Sequence, residues 1–279
     1  MSQNKVSYRL PLALIAGISV IVAGCGGSDG DTAATPPPAA SPAPSPAPSP
    51  APTPSPSPAP SPTPSPAPPP AQDSMPGNSN EATYTVTFTA QWTAANGFGA
   101  VPGSAHFSSV IGSSVNEQST LWQTGQGSSA GMEAVAENGT TATFSAEIEA
   151  EVAANAAGGV INMGGTLADN SVSAEVTFTR VFPLFTFASM VAPSPDWFVG
   201  QSKYSMLDSN SEWANDVQIN LRVYDAGTED GESFSLNNPA TSPLGVIERL
   251  NGLVAGELNF TDGLVDGNAI ARIQLTRIR

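Results

Sequence analysis

Residues 185–200 read FTFASMVAPSPDWFVG. Phe185, Phe187, Ser189 and Val191 alternate with Thr186, Ala188, Met190 and Ala192. Both sets are largely apolar, as expected of a central strand covered on both faces. Pro193 and Pro195 cannot donate to a ladder, so pairing stops there and a rigid loop begins. The loop presents Asp196-Trp197-Phe198, a carboxylate beside two large aromatics at the mouth of a buried strand. That carboxylate is costly without a partner, and the plainest partner is its own backbone in a turn. Trp197 and Phe198 read either as an exposed contact pair or as a plug closing the end of a core, the commoner fate of such residues.

Outward from this run the chain is punctuated by short alternating segments separated by Gly, Asn, Ser and Pro, a pattern that predicts an all-β fold. Tyr84, Val86, Phe88, Ala90 and Trp92 form one inward set against a row of threonines, as in a half-buried antiparallel strand. Val172, Ala174, Val176 and Phe178 form another, and Val217, Ile219, Leu221 and Val223 lead into Tyr224-Asp225. Ala271, Ile273 and Leu275 predict a closing strand. Thr143–Val152 also alternates, with Phe144, Ala146, Ile148, Ala150 and Val152 inward, although its Ala and Glu content equally suits a helix. Residues 131–138, GMEAVAEN, are the one short helix expected, bounded by Gly131 and Gly139. The predicted architecture is an antiparallel two-sheet β-sandwich over residues 81–279, without internal repeats.

The N-terminus reads as an address. Lys5 and Arg9 precede an apolar run, Leu10 to Val22, that is short for a membrane span and contains Pro11 and Gly17. It ends in Val22-Ala23-Gly24-Cys25, a bacterial lipobox pattern, so residues 1–24 are expected to be a lipoprotein signal peptide and Cys25 to carry lipid. Cys25 is the only cysteine, which excludes an internal disulfide. Several acyl chains anchor stably where one is marginal. Gly26, rather than Asp, favours the outer membrane by Gram-negative sorting rules. Within the linker, residues 25–80, 19 of the 27 prolines lie between Pro36 and Pro70. Such Pro/Ala/Ser sequence favours polyproline II and builds no core, so a semi-rigid stalk is expected.

The formal net charge is −15; without Lys5 and Arg9, 7 basic residues face 24 acidic ones, giving −17. Such a surface repels nucleic acid and anionic lipid. His106 is the only histidine, no histidine pair exists for zinc, and no glycine-rich phosphate loop follows a strand. A carboxylate pair doing acid/base work, as in glycosidases, is the one enzymatic chemistry left open, and the chain is expected not to be an enzyme. Calcium suits the residues better, since it takes six to eight oxygens from carboxylates, carbonyls and water. Asp196 and Asp225 both stand at strand exits, and Gly227 frees the backbone beside Asp225 to turn. If the two strands are neighbours leaving at one end, the carboxylates converge and repel unless a cation lies between them.

The motifs APSPDWFVG (192–200) and YDAGTEDG (224–231) resemble those of the spondin N-terminal (F-spondin/mindin-type) domain family. TYTVTFTAQW (83–92), HFSSVIG (106–112), LWQTGQGSSAG (121–131) and VAENG (135–139) follow in the family's order, so the resemblance covers roughly residues 82–240. It implies a sandwich similar to calcium-binding, membrane-targeting domains. It also implies that Asp196 and Asp225 bind Ca²⁺, with a third carboxylate from a preceding strand. That position falls at or beside Thr177, which makes Glu175 the third candidate. Animal members carry cysteines in this domain that the chain lacks, so packing and calcium are expected to hold the fold. By analogy the partner is an extracellular or cell-surface protein or glycan, met by a lipid-anchored, stalked adhesion module at the bacterial outer membrane. An envelope glycan hydrolase and a structural spacer are the alternatives.

Overall fold

The computed structural model describes residues 77–279. The predicted signal peptide, Cys25 and the proline-rich stretch lie outside the described residues. Fifteen strands, β1 to β15, follow in chain order among the described residues, with two α-helices between the third and fourth. The first three are β1 (Glu81–Ala90), β2 (His106–Phe107) and β3 (Ile111–Val115). Helices α1 (Ala130–Asn138) and α2 (Ala142–Ala153) come next. Two short strands, β4 (Ile161–Asn162) and β5 (Thr166–Leu167), lead to the long ones, β6 (Ser171–Thr179), β7 (Leu184–Ala192) and β8 (Trp197–Ser205). The chain continues through β9 (Asp216–Asn220), β10 (Arg222–Asp225), β11 (Glu248–Arg249) and β12 (Leu253–Ala255). It closes with β13 (Leu258–Thr261), β14 (Leu264–Val265) and β15 (Ala271–Arg277).

All pairings are antiparallel. A four-stranded sheet runs β6-β1-β15-β9, a larger one runs β11-β10-β8-β7-β2-β5 with β3 and β4 beside β7, and β12-β13-β14 form a small third sheet. The first two sheets share an apolar interior filled from β1, β6, β15 and one face of β7. β7 is buried along its whole length, as its two apolar faces require. Phe185, Phe187 and Val191 face the inter-sheet core, whereas Leu184 and Ala188 face a second cluster under the helices with Met132, Val135, Phe144 and Ile148. This strand therefore joins a sandwich to a helical layer, and burial of its phenylalanines contributes about 1.5–3 kcal/mol each.

Two sequence expectations change. Residues 143–152, read as an alternating strand, form α2. Only Phe144 and Ile148 are buried there, four residues apart as on one helix face, while Ala146, Ala150 and Val152 are exposed. The Ala/Glu composition outweighs the two-residue alternation because Phe144 and Ile148, the two large residues that are buried, are served equally well by one helix face. Glu147 and Glu151 are not simple surface charges either. Glu147 accepts from the Gly131 N–H (2.7 Å) and the Ser129 hydroxyl (2.6 Å), and Glu151 accepts from the Thr120 N–H (2.6 Å).

The single strand expected over Val217–Tyr224 is two. β9 pairs with β15 in the four-stranded sheet, and β10 pairs with β8 in the larger one. Val217, Leu221 and Val223 are all buried against the shared core, so the alternation continues while the backbone changes sheets. α1 is the expected short helix, starting one residue earlier. Ser129 caps its N-terminus, and Gly139, at φ +64, ends it in the left-handed conformation that glycine adopts without strain.

Candidate functional site

The register between β8 and β10 places Asp225 opposite Trp197, so Asp196 and Asp225 come together at one end of one sheet. Both aromatics after Asp196 are buried and clamp the loop from opposite sides. Trp197 packs on Phe234 and Phe260, with centroids at 5.6 and 5.3 Å. Phe198 stacks on Tyr224 at 5.3 Å and meets Trp122 edge-on at 5.1 Å. The pair is a plug rather than an exposed tip. Ser194, also buried, accepts from the Trp197 N–H (3.1 Å) and closes the Pro-Ser-Pro-Asp turn.

Asp196 is 0 % exposed. Its Oδ2 accepts from the Thr228 N–H (2.6 Å), the Thr228 hydroxyl (3.2 Å) and the Glu229 N–H (3.1 Å). Its Oδ1 is equally buried and accepts from no other residue. The expected turn aspartate, bonded to its own local backbone, is thus bonded instead to a loop 32 residues away. The same loop returns a backbone bond, from the Ala226 N–H to the Asp196 carbonyl (3.2 Å), and Ser128 donates to the Ala226 carbonyl (2.8 Å). Gly227 has φ +74, donates its N–H to Asp225 Oδ1 (2.7 Å) and packs backbone to backbone on Gly245. A Cβ at Gly227 would stand 2.7 Å from the Gly245 carbonyl carbon, so both conformation and space demand glycine.

Burial raises the pKa of Asp196, and the three hydrogen bonds on Oδ2 only partly offset it. Asp225 is pushed from 3.8 to about 6, first by burial and then by the neighbouring Asp196 carboxylate. Glu137 near the end of α1 and Glu229 are also raised, by burial first, with Asp196 among the charges that repel each. The Thr228 hydroxyl, which donates to Asp196, is also a polar neighbour that tempers the rise at Glu137, so a carboxylate on the helical layer and one on the sheet lie on either side of it. Like charges gathered in a poorly solvated place in this way favour either protonation or a cation.

Glu175 does not join them. It lies on β6 of the four-stranded sheet, exposed and opposite Thr85, and contributes to neither aspartate's shift. The carboxylate that does approach, Glu137, sits within the predicted helix 131–138, but nothing in its local sequence marks it as a site residue. Thr228 lies inside the YDAGT motif and was equally unmarked.

The fit to calcium can be tested on the donors themselves. Among the described residues no three carboxylates, histidines or cysteines stand close enough to enclose an ion unaided. The buried, unpartnered Asp196 Oδ1 beside Asp225 is nevertheless a hard anionic oxygen of the kind Ca²⁺ takes, and carbonyls and water commonly complete such a shell. Elsewhere, Gly127-Ser128-Ser129-Ala130-Gly131 matches a nucleophile-elbow pattern, but the Ser129 hydroxyl is engaged by Glu147 and the α1 cap. His106 is exposed on β2 and bonded to the Ser104 carbonyl (2.8 Å).

The Spondin_N family model matches residues 82–257, well over half of the sequence. The chain belongs to the spondin N-terminal family. Human Spondin-2 is 30 % identical over 167 residues, which cover 58 % of this chain and 50 % of that protein. Mouse Spondin-1 is 30 % identical over 211 residues, covering 71 % of this chain and 25 % of that protein. Chicken Spondin-1 is 31 % identical over 211 residues. The chain thus spans between a quarter and a half of these relatives' length. Within this spondin-type domain the match covers Glu137, Asp196, Asp225 and Thr228 but stops short of β15.

Proposed function

We propose that this spondin-type domain is a non-enzymatic, calcium-dependent recognition module. The observation that carries the proposal is Asp196: a fully buried carboxylate with one oxygen held by three donors and the other unpartnered, beside an Asp225 carboxylate that burial and the Asp196 charge push up from its ordinary range. A calcium ion there takes Asp196 Oδ1 and Asp225, with carbonyls and water completing its shell, while Glu137 stands outside the ligand set and adds negative charge that favours the ion. With so few carboxylates, affinity falls in the range of extracellular modules, about 10⁻⁴–10⁻³ M. The ion relieves the repulsion and fixes the 225–231 loop against the 193–196 loop, so the bound metal organises the surface that a partner meets.

The lipobox pattern at Cys25 and the proline-rich stretch support placing this domain on a stalk, anchored by lipid at the bacterial outer membrane, and its family supports an extracellular or cell-surface protein or glycan as the partner. An envelope hydrolase built on Asp196 and Asp225 is disfavoured by the complete burial of Asp196, which keeps its carboxylate from substrate. Calorimetric titration of the purified chain with Ca²⁺ and with Mg²⁺ tests the metal step. One calcium-selective site is expected, lost in Asp196→Asn and in Asp225→Asn and weakened at least about tenfold in Glu137→Gln. Full binding by Asp196→Asn would refute the assignment.

A further inference from the structure

A second polar site lies at one end of the four-stranded sheet. A cleft of about 520 Å³ is lined by Gln91, Asn96, Asn220, Asn268 and Arg272, with Phe98 as its apolar wall. The strand register explains the convergence: Arg272 on β15 pairs with Thr89 on β1 and with Asn220 on β9, so the three share one row on the outer face. The Asn96 amide donates to the Gln91 carbonyl (2.9 Å) and that of Asn268 to the Asp266 carbonyl (3.2 Å), which fix two of the walls.

The charge of this cleft is opposite to that of the molecule. In a chain with 24 acidic residues, no carboxylate among the described residues lines it. The other cations among the described residues are engaged within the fold. Arg222 and Arg249 pair with Asp262 at 3.1 and 2.9 Å, Lys203 reaches the Glu117 carbonyl at 2.7 Å, and Arg180 lies over Trp213 at 4.9 Å. Arg279 donates to Thr83 Oγ1 (3.2 Å), and Arg277 to the Arg279 carbonyl (3.3 Å). Arg272 alone, half-buried, forms no ion pair, hydrogen bond or ring contact among the described residues. Its guanidinium presents five donors in a planar fork, and the surrounding amides offer both donors and acceptors. Within about a Debye length of ~8 Å, this one charge decides which ligands are favoured despite the acidic whole.

We propose that the cleft binds an acidic saccharide, with Arg272 gripping a ring-borne oxyanion, a carboxylate or a sulfate, and the asparagine and glutamine amides bonding the ring hydroxyls. The next row outward, Ser173, Thr87, Gln274 and Gln218, is uncharged and gives a longer polymer a hydroxyl and amide track. Asn268 and Arg272 lie beyond residue 257, so this site is built partly from sequence that the family match does not include. It needs no metal and is independent of the aspartate rim.

The test is calorimetric or NMR titration of the purified chain in EDTA with four oligosaccharides of equal length. These are a glucuronate-containing one, its methyl ester, a sulfated neutral sugar and the unsulfated neutral sugar. At least one acidic probe is expected to bind about tenfold or more tightly than its uncharged counterpart, and which one tells carboxylate from sulfate. Arg272→Gln should remove that preference with the unfolding midpoint unchanged, and Asn220→Ala or Asn268→Ala should weaken binding of every probe. No binding by either acidic probe at millimolar concentration, or equal affinity in Arg272→Gln, would overturn the proposal.

Discussion

The two polar sites of this domain are opposites in construction. At the rim of the larger sheet, Asp196, Asp225, Glu137 and Glu229 crowd where the backbone supplies donors chiefly for one carboxylate oxygen. At the end of the smaller sheet, Arg272 stands among amides with no acid beside it. The rim is assembled by long-range loop contacts and carries buried charge, so it costs stability until something neutralises it. The cleft is assembled by strand register and by short local turns at the strand ends, and it buries no charge that needs a partner. The rim is therefore coupled to folding and the cleft is not, and substitutions should separate them on that basis.

The largest effect is expected at Asp196. Asp196→Ala strips the acceptor from two backbone N–H groups and the Thr228 hydroxyl, and should lower the stability of the metal-free chain by about 2–4 kcal/mol in denaturant titration. Asp196→Asn keeps an acceptor oxygen and should cost less than about 1 kcal/mol while removing the calcium response. Equal loss in both would mean that charge, and not hydrogen bonding, holds the loop.

Gly227→Ala comes next. It places a Cβ against Gly245 at a positive φ, and about 1–3 kcal/mol of destabilisation is expected by the same method. Retention of full stability would show that the 225–231 loop is not fixed as described.

Asp225 gives the rim a pH dependence that the cleft lacks. Its folded pKa, about 6, lies above the ordinary 3.8. Its favourable contribution is therefore present below about pH 4 and is lost as pH rises through about 6. Metal-free Asp225→Asn should gain stability relative to the parent over that window and be the more stable of the two at pH 7. Calcium affinity of the parent should rise over the same window, because the ion takes the deprotonated carboxylate. A flat difference between the two chains from pH 4 to 7 would contradict the crowding of Asp225 with Asp196. Arg272→Gln, at the other end of the scale, should change stability by less than about 0.5 kcal/mol at any of these pH values.

Much of this organisation was legible in the sequence. The two apolar faces of residues 185–192 imply a strand covered on both sides, and the prolines after it mark the loop that holds Asp196. The expected pairing of Asp196 with Asp225 supposed that the strands they leave are neighbours; β7 and β10 instead flank β8, antiparallel to both, and so leave at the same end with β8 between them. What could not be read is whatever depends on register between distant segments. Thr228 meets Asp196 across 32 residues, and Glu137 joins them from a helix whose sequence looks like any amphipathic turn. Glu175 lies on β6, whose pairing with β1 holds it on the outer face of the other sheet. The crossing at Leu221 was hidden because both sheets bury residues of the same parity, and α2 was hidden because alanine and glutamate satisfy a helix and a strand pattern alike.

The central claim is that a calcium ion joins the 193–196 and 225–231 loops at Asp196 and Asp225. The most direct measurement is thermal unfolding of the purified chain in EDTA and in saturating Ca²⁺ or Mg²⁺, beside Asp196→Asn and Asp225→Asn. Binding to the native state alone stabilises it by about 2.7 kcal/mol at a hundredfold excess over Kd. The account predicts a calcium-selective rise of the midpoint in the parent and none in either variant. A parent midpoint that calcium leaves unmoved, or an equal rise in all three chains, would contradict it.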